Sequence, residues 1–441
     1  MSKEIQNEEN NGPNVKGLTV LALTIVLLGL FWVMGPGWRL AFLGSAVATI
    51  SIAIWQACDP FADAAQWIGE QFRLPGSVRG ATLDAVASSM PELFSGIFFV
   101  LIAMQAADGD TVAASAEGFG ATIATCAGSA VYNMILIPAA VALVIAMKRK
   151  DRPTVDVEPE VVSRDGLWFV GCEIVLIVFL SGDKMHWWMG ATFLALYGFY
   201  ILHLYIDAKR FRGKMDATNT AVQALGDAAT IEQVIEAVGQ AGHKIAPAHV
   251  LRARIDDEDT TESAEVLFGL FEVRLNAVTS WTIIAIATLA AAAACYFLVE
   301  VTRELAVVMQ VPTFFVAVIV AAAASSVPDT FLSVGSGLRG DDSGAVSNAF
   351  GSNIFDICVC LSIPLLVNSY LIGWEPVSLL QDGEPISGLV GLRILLVVLT
   401  VLTLGIIWHK HQLTRNKAIV LCGLYLVFVG YAVLGSLGYV V

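Results

Sequence analysis

The chain has 441 residues, of which 56% are hydrophobic and only 15% are charged. Soluble domains carry about 25% charged residues, so this composition excludes an ordinary soluble protein and indicates a membrane protein. The net charge of −14 says little about partners, because much of it lies between the apolar runs, and we expect no nucleic-acid partner. The seven cysteines lie in or beside those runs, where we interpret them as packing residues.

Apolar runs long enough to cross a bilayer as helices recur along the whole chain. A crossing helix needs about 18 residues or more, and eleven runs reach that length. We place them near residues 17–35, 39–58, 76–104, 121–147, 166–182, 187–206, 275–300, 312–338, 345–372, 388–408 and 417–439. The second run is expected to continue as an amphipathic helix to about residue 70. The sequence therefore predicts an all-α membrane protein with about eleven transmembrane helices.

The distribution of lysine and arginine predicts the orientation of these helices. If the N-terminus lies inside, the inner segments hold most of the basic residues, as membrane proteins generally require. These are Arg73, Arg79, Lys148, Arg149, Lys150, Arg152, Lys209, Arg210, Arg212, Lys214, Arg339, Lys410, Arg415 and Lys417, against Arg39, Lys184, Arg303 and Arg393 outside. We expect the N-terminus inside and the C-terminus outside. The short central loop and the absence of an N-x-[ST] sequon favour a plasma membrane of the bacterial inner-membrane kind.

A pair of motifs occurs twice in the chain. Residues 87–94 read A-S-S-M-P-E-L-F and residues 324–331 read A-S-S-V-P-D-T-F. Each is followed on the next run by a second motif, G-S-A-V-Y-N at 128–133 and G-S-N-I-F-D at 351–356. The copies begin on the third and eighth runs, so they cross the membrane in opposite senses. Such inverted repeats often place an ion site at their interface near mid-membrane.

The motifs place carboxylates and hydroxyls inside apolar runs. Glu92 and Asp329 hold matched positions, where an ionisable group costs at least about 2.5–3.5 kcal/mol and is by default a functional candidate. Hydroxyls and amides three or four residues from an acid or from each other share a helix face. These side chains are Ser88, Ser89, Ser325 and Ser326 in the first motifs, and Ser129 with Asn133 and Ser352 with Asp356 in the second.

The prolines of the first motifs add backbone oxygen to this set. Pro91 and Pro328 lack an N–H, so we expect each to free a carbonyl, of Ala87 and Ala324 respectively, and to kink its helix. Freed carbonyls at membrane depth line cavities. Carboxylate, hydroxyl, amide and carbonyl oxygens together suit Ca²⁺ and Na⁺ and do not suit zinc or copper. Close packing is an equally good explanation for any single serine, but it does not explain two matched buried carboxylates.

These paired motifs resemble the α-repeats of the calcium/cation antiporter superfamily. Both S-x-P-[ED] and G-S-x-x-[FY]-[ND] occur in both copies and in the same order. The resemblance implies five plus five helices around a central loop, with one extra N-terminal helix. The implied segments are a cytoplasmic tail at 1–16, the extra helix at 17–38, a first half at 39–206 with its motif at 79–147, a cytoplasmic loop at 207–274, and a second half at 275–441 with its motif at 312–372.

The resemblance also implies the ligands of the transported ions. Ca²⁺ would be held by Glu92 and Asp329 with the carbonyls of Ser88 and Ser325. The full set of implied or expected ion ligands is Glu92, Asp329, Ser88, Ser325, Ser89, Ser326, Ser129, Ser352, Asn133, Asp356 and the carbonyls of Ala85 and Ala322. One departure is Ala130, which stands where the family has an asparagine after the first G-S. The run at 345–356 looks most like the potassium-dependent branch, which leaves K⁺ co-transport open.

The function expected from these residues is Na⁺/Ca²⁺ antiport by alternating access, with inorganic cations and membrane lipid as partners and no cofactor beyond the transported ions. An enzyme is not expected, because the six histidines lie in loops or near the ends of runs, and no G-x-S-x-G or H-E-x-x-H occurs. A channel is disfavoured because it normally builds its acidic ring from several subunits or repeats. A Ca²⁺/H⁺ antiporter is the alternative, since Asp84, Glu92, Asp329 and Asp356 could carry protons. The oligomeric state is left open.

Other features of the sequence lead to further expectations. Asp84 is either a relay carboxylate on the inner pathway, or a group that is solvated near the interface or paired with Arg79. Glu173 is expected to be an internally hydrogen-bonded structural group. Short helices are expected at 230–239 and 246–255, and the acidic stretch at 256–265 is expected to be a solvated linker. Repulsion among three nearby carboxylates predicts that the empty site holds a proton, which we place on Asp356.

Overall fold

The computed structural model is almost entirely helical. The described residues are 14–72, 74–107, 109–149, 153–226, 228–245, 247, 250, 253–254, 263–381 and 383–437. The helices are α1 (Val15–Met34), α2 (Arg39–Gln71), α3 (Gly76–Gln105), α4 (Thr111–Lys148), α5 (Pro159–Leu180), α6 (Trp187–Leu225), α7 (Ile231–Gln240), α8 (Ala277–Met309), α9 (Thr313–Leu338), α10 (Asp342–Leu371), α11 (Leu389–Trp408) and α12 (Arg415–Ser436).

Eight short strands join the ends of the helices in antiparallel pairs. They are β1 (Val155–Asp156), β2 (Lys184–Met185), β3 (Ser263–Val266), β4 (Phe271–Arg274), β5 (Val377–Ser378), β6 (Leu380–Gln381), β7 (Glu384–Pro385) and β8 (Gln412–Leu413). β1 pairs with β8, β2 with β5, β3 with β4, and β6 with β7. In each of the first two pairs, the two strands belong to segments that the predicted topology places on the same side of the membrane.

In the part of the chain that the structure describes, ten helices are long and apolar enough to cross a membrane, which confirms the predicted all-α membrane fold. The predicted fifth span corresponds to α5, which is 22 residues long but carries Arg164, Asp165 and Glu173. β1 precedes α5 and pairs with β8 after α11, whereas β2 follows α5 and pairs with β5 before α11. α5 therefore runs antiparallel to α11 over its length. This pairing supports an eleventh span, and the count of eleven stays a prediction.

The four helices that carry the motifs form the centre of the bundle. The apolar windows of α3, α4 and α9 are 61% buried and that of α10 is 72% buried, whereas the other candidate spans are 33% buried or less. The less buried helices surround the four and turn apolar side chains outward, as expected for surfaces that face lipid. The repeated motifs therefore lie on the helices with the least access to lipid.

Matched π-helical turns mark the two copies. One lies at Gly80–Asp84 in α3 and the other at Ala317–Ala321 in α9, the same distance before Glu92 and Asp329 respectively. α10 contains another π-helical turn, Asp356–Cys360. π-helical turns occur frequently at functional sites because they re-aim the side chains of one helical turn. The repeat found in the sequence is therefore also a repeat of backbone geometry.

The glycines of the two G-S motifs form reciprocal contacts between the copies. A Cβ on Gly128 would lie 2.1 Å from the carbonyl oxygen of Val318, inside the π-helical turn of the second copy. A Cβ on Gly351 would lie 2.6 Å from Cα of Ala81, inside the π-helical turn of the first. Only glycine allows such backbone approach without displacement. Each G-S motif is therefore seated against the opposite repeat.

The interruption of the helix that we expected at the prolines is present in the second copy. The α-helical hydrogen bonding of α9 is interrupted at Ser326, which has φ −84° and ψ 3° just before Pro328. In α3 the helix continues through Pro91 from Ala85 to Gln105. Proline alone does not interrupt the first copy, and the two halves of the site differ in backbone geometry.

Most predicted ends of the runs lie within three residues of the helix ends, but four differ by more. α4 begins at Thr111 where 121 was expected, α5 at Pro159 where 166 was expected, and α8 ends at Met309 where 300 was expected, because polar first and last turns extend these helices beyond the apolar runs. The fourth difference is the largest. The sixth run was expected to end at 206, but α6 continues to Leu225 and ends before Gly226, whose φ is +81°, because no strong helix stop precedes this left-handed glycine.

α2 reaches Gln71 as expected, and α7 begins at a capping box formed by Thr230 and Gln233. Several predictions concern residues outside the described part of the chain, namely 1–13 of the tail, Arg73, Lys150, Arg152, most of 246–255, residues 256–262 and the C-terminal 438–441.

Candidate cation-binding site

The side chains predicted as ion ligands lie together at the centre of the bundle. Glu92 and Asp329 come from the two copies and are both 0% exposed. The other ten positions are also buried at 1% exposure or less, namely Ser88, Ser89, Ser129, Asn133, Ser325, Ser326, Ser352, Asp356, Ala85 and Ala322. The environment therefore combines three carboxylates with hydroxyls in a region closed to solvent.

The Ser129 hydroxyl is the centre of one cluster. Its Oγ lies 3.1 Å from Glu92 Oε1, 2.9 Å from Ser326 Oγ and 2.9 Å from Asp356 Oδ2. Asn133 Nδ2 donates to the same Oγ at 3.2 Å, and the Ser326 hydroxyl donates to Glu92 Oε1 at 3.1 Å. This cluster takes side chains from both copies, so the site exists only where the repeats meet.

Asp329 is the centre of the second cluster. The hydroxyls of Ser88 and Ser352 both lie 2.5 Å from Asp329 Oδ1. The Ser88 Oγ also lies 2.8 Å from the carbonyl oxygen of Asp84. Asp329 therefore contacts two hydroxyls, one from each repeat, and Ser88 has a single proton to share between Asp329 and the Asp84 carbonyl.

The hydroxyls around Ser129 have fewer protons than their contacts require. Ser129 and Ser326 have one hydroxyl proton each. These two protons serve four contacts, which join Ser129 to Glu92, to Ser326 and to Asp356, and Ser326 to Glu92. Each hydroxyl donates one proton only. A proton on Asp356 would supply a further donor, to Ser129, and would leave both serines free to donate elsewhere.

The Asp329 cluster is short of protons in the same way, because Ser88 and Ser352 bring two protons to contacts with each other, with Asp329 and with the Asp84 carbonyl. The placement of the proton on Asp356 therefore stays a prediction.

The three acids each retain an oxygen that makes no hydrogen bond. These atoms are Glu92 Oε2, Asp329 Oδ2 and Asp356 Oδ1, and all are buried. Buried unsatisfied acceptors are costly, and a bound cation would satisfy them. Among the described residues no three His, Cys, Asp or Glu side chains converge closely enough to hold a metal ion by themselves. A cation held here would therefore also need serine hydroxyls or backbone carbonyls.

The structure also points to Asn353, which was absent from the predicted ligands. This side chain is 0% exposed, and neither its Oδ1 nor its Nδ2 makes a hydrogen bond. It follows Ser352 at the position matched by Ala130 in the first copy. One sign of this position is present in the sequence, because Ala130 stands where the family has an asparagine in the first copy. Only the structure shows that the buried amide of Asn353 makes no hydrogen bond with the described residues.

Two acids outside the clusters have partners. Asp84 Oδ2 lies 3.4 Å from Arg79 Nε, so the expected ion pair is present, and the relay role stays a prediction. Arg79 also pairs with Asp341 at 3.1 Å, so the Arg79–Asp341 pair joins the two copies at the ends that are predicted to face inside. Glu173 accepts a hydrogen bond from Thr400 at 2.9 Å and is buried, as expected for a structural group.

Inverted repeats that meet at buried carboxylates define a membrane protein built like a secondary transporter. A family model described as Sodium/calcium exchanger protein matches residues 40–206 and 279–434. The chain belongs to this family, and the predicted membership of the calcium/cation antiporter superfamily is confirmed. The matched ranges leave out the N-terminal helix α1 and the whole of the central loop at 207–274.

Curated relatives and solved structures agree with this family. Sodium/potassium/calcium exchanger 4 of Homo sapiens is 33% identical over 171 residues, which cover 38% of this chain and 24% of that protein. Sodium/potassium/calcium exchanger 5 of Homo sapiens is 25% identical over 434 residues, covering 88% of this chain and 82% of that protein. The match to the first spans about a quarter of its length.

Solved structures show the fold. The H⁺/Ca²⁺ exchanger CAX aligns with a TM-score of 0.59 at 14% identity, over 96% of this chain and 92% of that chain. The sodium-calcium exchanger NCX_Mj, soaked with 2.5 mM Na⁺ and 10 mM Sr²⁺, aligns with a TM-score of 0.51 at 15% identity, over 89% and 99%. At these identities the likeness extends to the architecture of the helices.

Proposed function

We propose that the protein exchanges Ca²⁺ for Na⁺ across a membrane by alternating access. The observation that carries this proposal is the pairing of Glu92 and Asp329 from opposite repeats, each fully buried with one unsatisfied oxygen. Two carboxylates offer the charge that a divalent cation requires. Because they belong to repeats of opposite orientation, a rocking motion of one repeat against the other would expose the same site to either side.

The hydroxyls around the acids support Na⁺ as the counter-ion. Ser129, Ser326, Ser88 and Ser352 surround the carboxylates without introducing further charge. Several monovalent ions could replace Ca²⁺ if each used one carboxylate oxygen and neighbouring hydroxyl or carbonyl oxygens. The names of the curated relatives include potassium, so K⁺ co-transport belongs in the test.

Ca²⁺/H⁺ antiport is the second candidate, and Asp356 favours it. The contacts of its Oδ2 with Ser129 are best satisfied by a proton, and a proton that Ca²⁺ displaces could be the coupled ion. The two functions predict different driving gradients, because only one of them requires Na⁺ on the opposite side.

The deciding experiment is ⁴⁵Ca²⁺ uptake into proteoliposomes with imposed Na⁺, K⁺ or H⁺ gradients, each tested alone and Na⁺ with K⁺ together. We expect uptake with an outward Na⁺ gradient. Glu92→Gln serves as the inactive control for leak. Equal uptake on a pH gradient without Na⁺ would replace Na⁺ by H⁺ as the coupled ion, and uptake unchanged in Glu92→Gln would refute the site itself.

A further inference from the structure

One of the seven cysteines lies at the cation site. Cys360 is 0% exposed and ends the π-helical turn Asp356–Cys360 of α10. Its thiol donates to the backbone carbonyl oxygen of Ser89 on α3 across a distance of 3.4 Å. The Ser89 hydroxyl is one of the predicted ion ligands, and it is buried without a hydrogen-bond partner among the described residues. We expected every cysteine to be a packing residue, but this sulfur contacts the backbone of a predicted ligand.

The π-helical turn also brings the sulfur of Cys360 beside the carboxylate of Asp356. The two residues begin and end the turn, which is closed by a hydrogen bond of 3.0 Å from the backbone N–H of Leu361 to the carbonyl oxygen of Asp356. Side chains four positions apart share one face of a helical turn, and these two are close enough to interact. Asp356 Oδ2 contacts Ser129, whereas its Oδ1 is buried and makes no hydrogen bond with the described residues. The turn therefore carries a sulfur next to a carboxylate that has an unsatisfied oxygen.

The donors at this end of the site are of two kinds. The Asp356 carboxylate and the hydroxyl and carbonyl of Ser89 are hard oxygen ligands, which suit Ca²⁺, whereas a thiolate is a soft ligand. Cd²⁺ has the charge of Ca²⁺ and nearly its size, but it binds sulfur more readily because it is softer. Since no three acidic, histidine or cysteine side chains among the described residues converge to hold a metal ion by themselves, an ion at Cys360 also needs the oxygens of Ser89.

We propose that Cys360 is a sulfur ligand of the cation site and gives this site an affinity for soft divalent cations of the Cd²⁺ class. The ion binds the Cys360 sulfur, the Asp356 carboxylate and an oxygen of Ser89. The thiol releases its proton when it binds, because the thiolate is the form that ligates metal. This proposal rests on the proposed function, since it assigns the sulfur to the site that exchanges Ca²⁺. It adds to the oxygen ligands one residue that sets which divalent cations the site accepts.

The test is titration of the purified full-length protein in detergent with Cd²⁺, in a buffer free of Na⁺ and of added thiols. A Cd–thiolate bond has a charge-transfer absorption band in the ultraviolet, which reports directly that sulfur binds the ion. Back-titration with Ca²⁺ reports whether the bound Cd²⁺ occupies the cation site. Cys360→Ser tests the ligand, because it exchanges sulfur for oxygen in a side chain of similar shape that can still donate to Ser89. The thermal unfolding midpoint shows whether the variant is folded.

Cys358→Ser is the matched control, since it makes the same change two residues away in the same π-helical turn. Cys358 is also 0% exposed, but its Sγ contacts the Sγ of Cys172 on α5 at 3.4 Å. This pair is the alternative source of sulfur for Cd²⁺, and it joins α10 to α5, which carries none of the motifs. The two variants therefore distinguish the sulfur at the cation site from a pair of sulfurs outside it.

We expect Cd²⁺ to produce the absorption band in the unaltered protein and in Cys358→Ser, and Ca²⁺ to remove it in both. Cys360→Ser should lose the band, and the ratio of its Cd²⁺ affinity to its Ca²⁺ affinity should fall about tenfold, since an oxygen replaces the soft ligand. Loss of the band in Cys358→Ser but not in Cys360→Ser would assign the sulfur to the Cys172–Cys358 pair and overturn the proposal. Equal changes in both variants, a band that Ca²⁺ does not remove, or no band at all would overturn it as well. The last two outcomes need the unaltered protein alone, so they test the proposal even if Cys360→Ser does not fold.

The Cd²⁺ titration and the liposome transport assay can fail separately. A band that Ca²⁺ removes, in a protein that does not exchange Ca²⁺ for Na⁺, would leave Cys360 as a ligand and refute only the transport proposal. Normal exchange in a protein that shows no band would refute Cys360 as a ligand and leave the transport proposal standing.

Discussion

Gly128 of the first repeat packs against the backbone carbonyl of Val318 of the second, so closely that a Cβ on Gly128 would lie 2.1 Å from the carbonyl oxygen. The neighbouring Ser129 hydroxyl contacts Glu92 and Asp356. The residue in backbone contact, Gly128, is therefore followed in the chain by a predicted ion ligand, Ser129. The close approach of the two repeats sets the spacing of the oxygens in the site.

Gly128→Ala should destabilise the protein, because the obstructing atom belongs to the backbone and cannot rotate away. Overpacking of this kind costs about 1–3 kcal/mol, which exceeds the helix propensity gained on replacing glycine, about 0.5–1 kcal/mol. The thermal unfolding midpoint in detergent should fall, and Ca²⁺ uptake should fall with it. Gly171→Ala on α5 is the control, since no atom lies within 4 Å of its Cβ position. An unchanged midpoint in Gly128→Ala would mean that the repeats are not in backbone contact.

Glu92→Gln should abolish Ca²⁺ transport and leave the protein folded. The amide has a similar volume and can still accept from Ser129 and Ser326, but it removes one of the two charges that hold Ca²⁺. Uptake and thermal unfolding are measured together. Glu173→Gln is a matched control, because Glu173 is also a buried carboxylate but lies outside the two clusters. Among the described residues, its hydrogen-bond partner is Thr400. It should retain uptake, and loss of transport in both variants alike would point to a general effect of removing buried charge.

Asp356→Asn should keep substantial Na⁺/Ca²⁺ exchange. If Asp356 is protonated in the empty site, an amide is close to it in shape and can still donate to Ser129 Oγ. Any K⁺ dependence of transport should be lost, since the amide cannot supply a charge. Exchange is measured with and without K⁺ in the variant and the unaltered protein. A variant as inactive as Glu92→Gln would show that Asp356 works as an ionised ligand.

Asn353→Ala should make the empty protein more stable and its cation binding weaker. Both polar atoms of the amide are buried without a hydrogen bond, and an unsatisfied buried group costs about 1–3 kcal/mol. Alanine already occupies the matched position 130, so the fold tolerates it. We expect a higher unfolding midpoint without Ca²⁺ and a smaller upward shift when Ca²⁺ is added. A Ca²⁺ shift equal to that of the unaltered protein would exclude Asn353 from the site.

The hydropathy pattern and the motif spacing predicted the helical membrane fold and the inverted repeat. Length and apolarity are properties of each run by itself, so they can be read without tertiary contacts. The matched positions of Glu92 and Asp329 also follow from spacing alone. The grouping of the predicted ligands in one buried centre was expected for the same reason, since an inverted repeat brings equivalent residues to its interface.

The tertiary structure decided which atoms meet across that interface. Spacing on one helix cannot show that Ser129 reaches Asp356 on another helix, that Asp84 pairs with Arg79, or that Asn353 has no partner. The length of α6 beyond the membrane-length run and the π-helical turns could not be read from hydropathy, because they depend on backbone hydrogen bonds and not on apolarity. The sequence by itself therefore determined the class of fold and the acids at its centre, and the packing of the two repeats determined the hydrogen-bond partners of those acids.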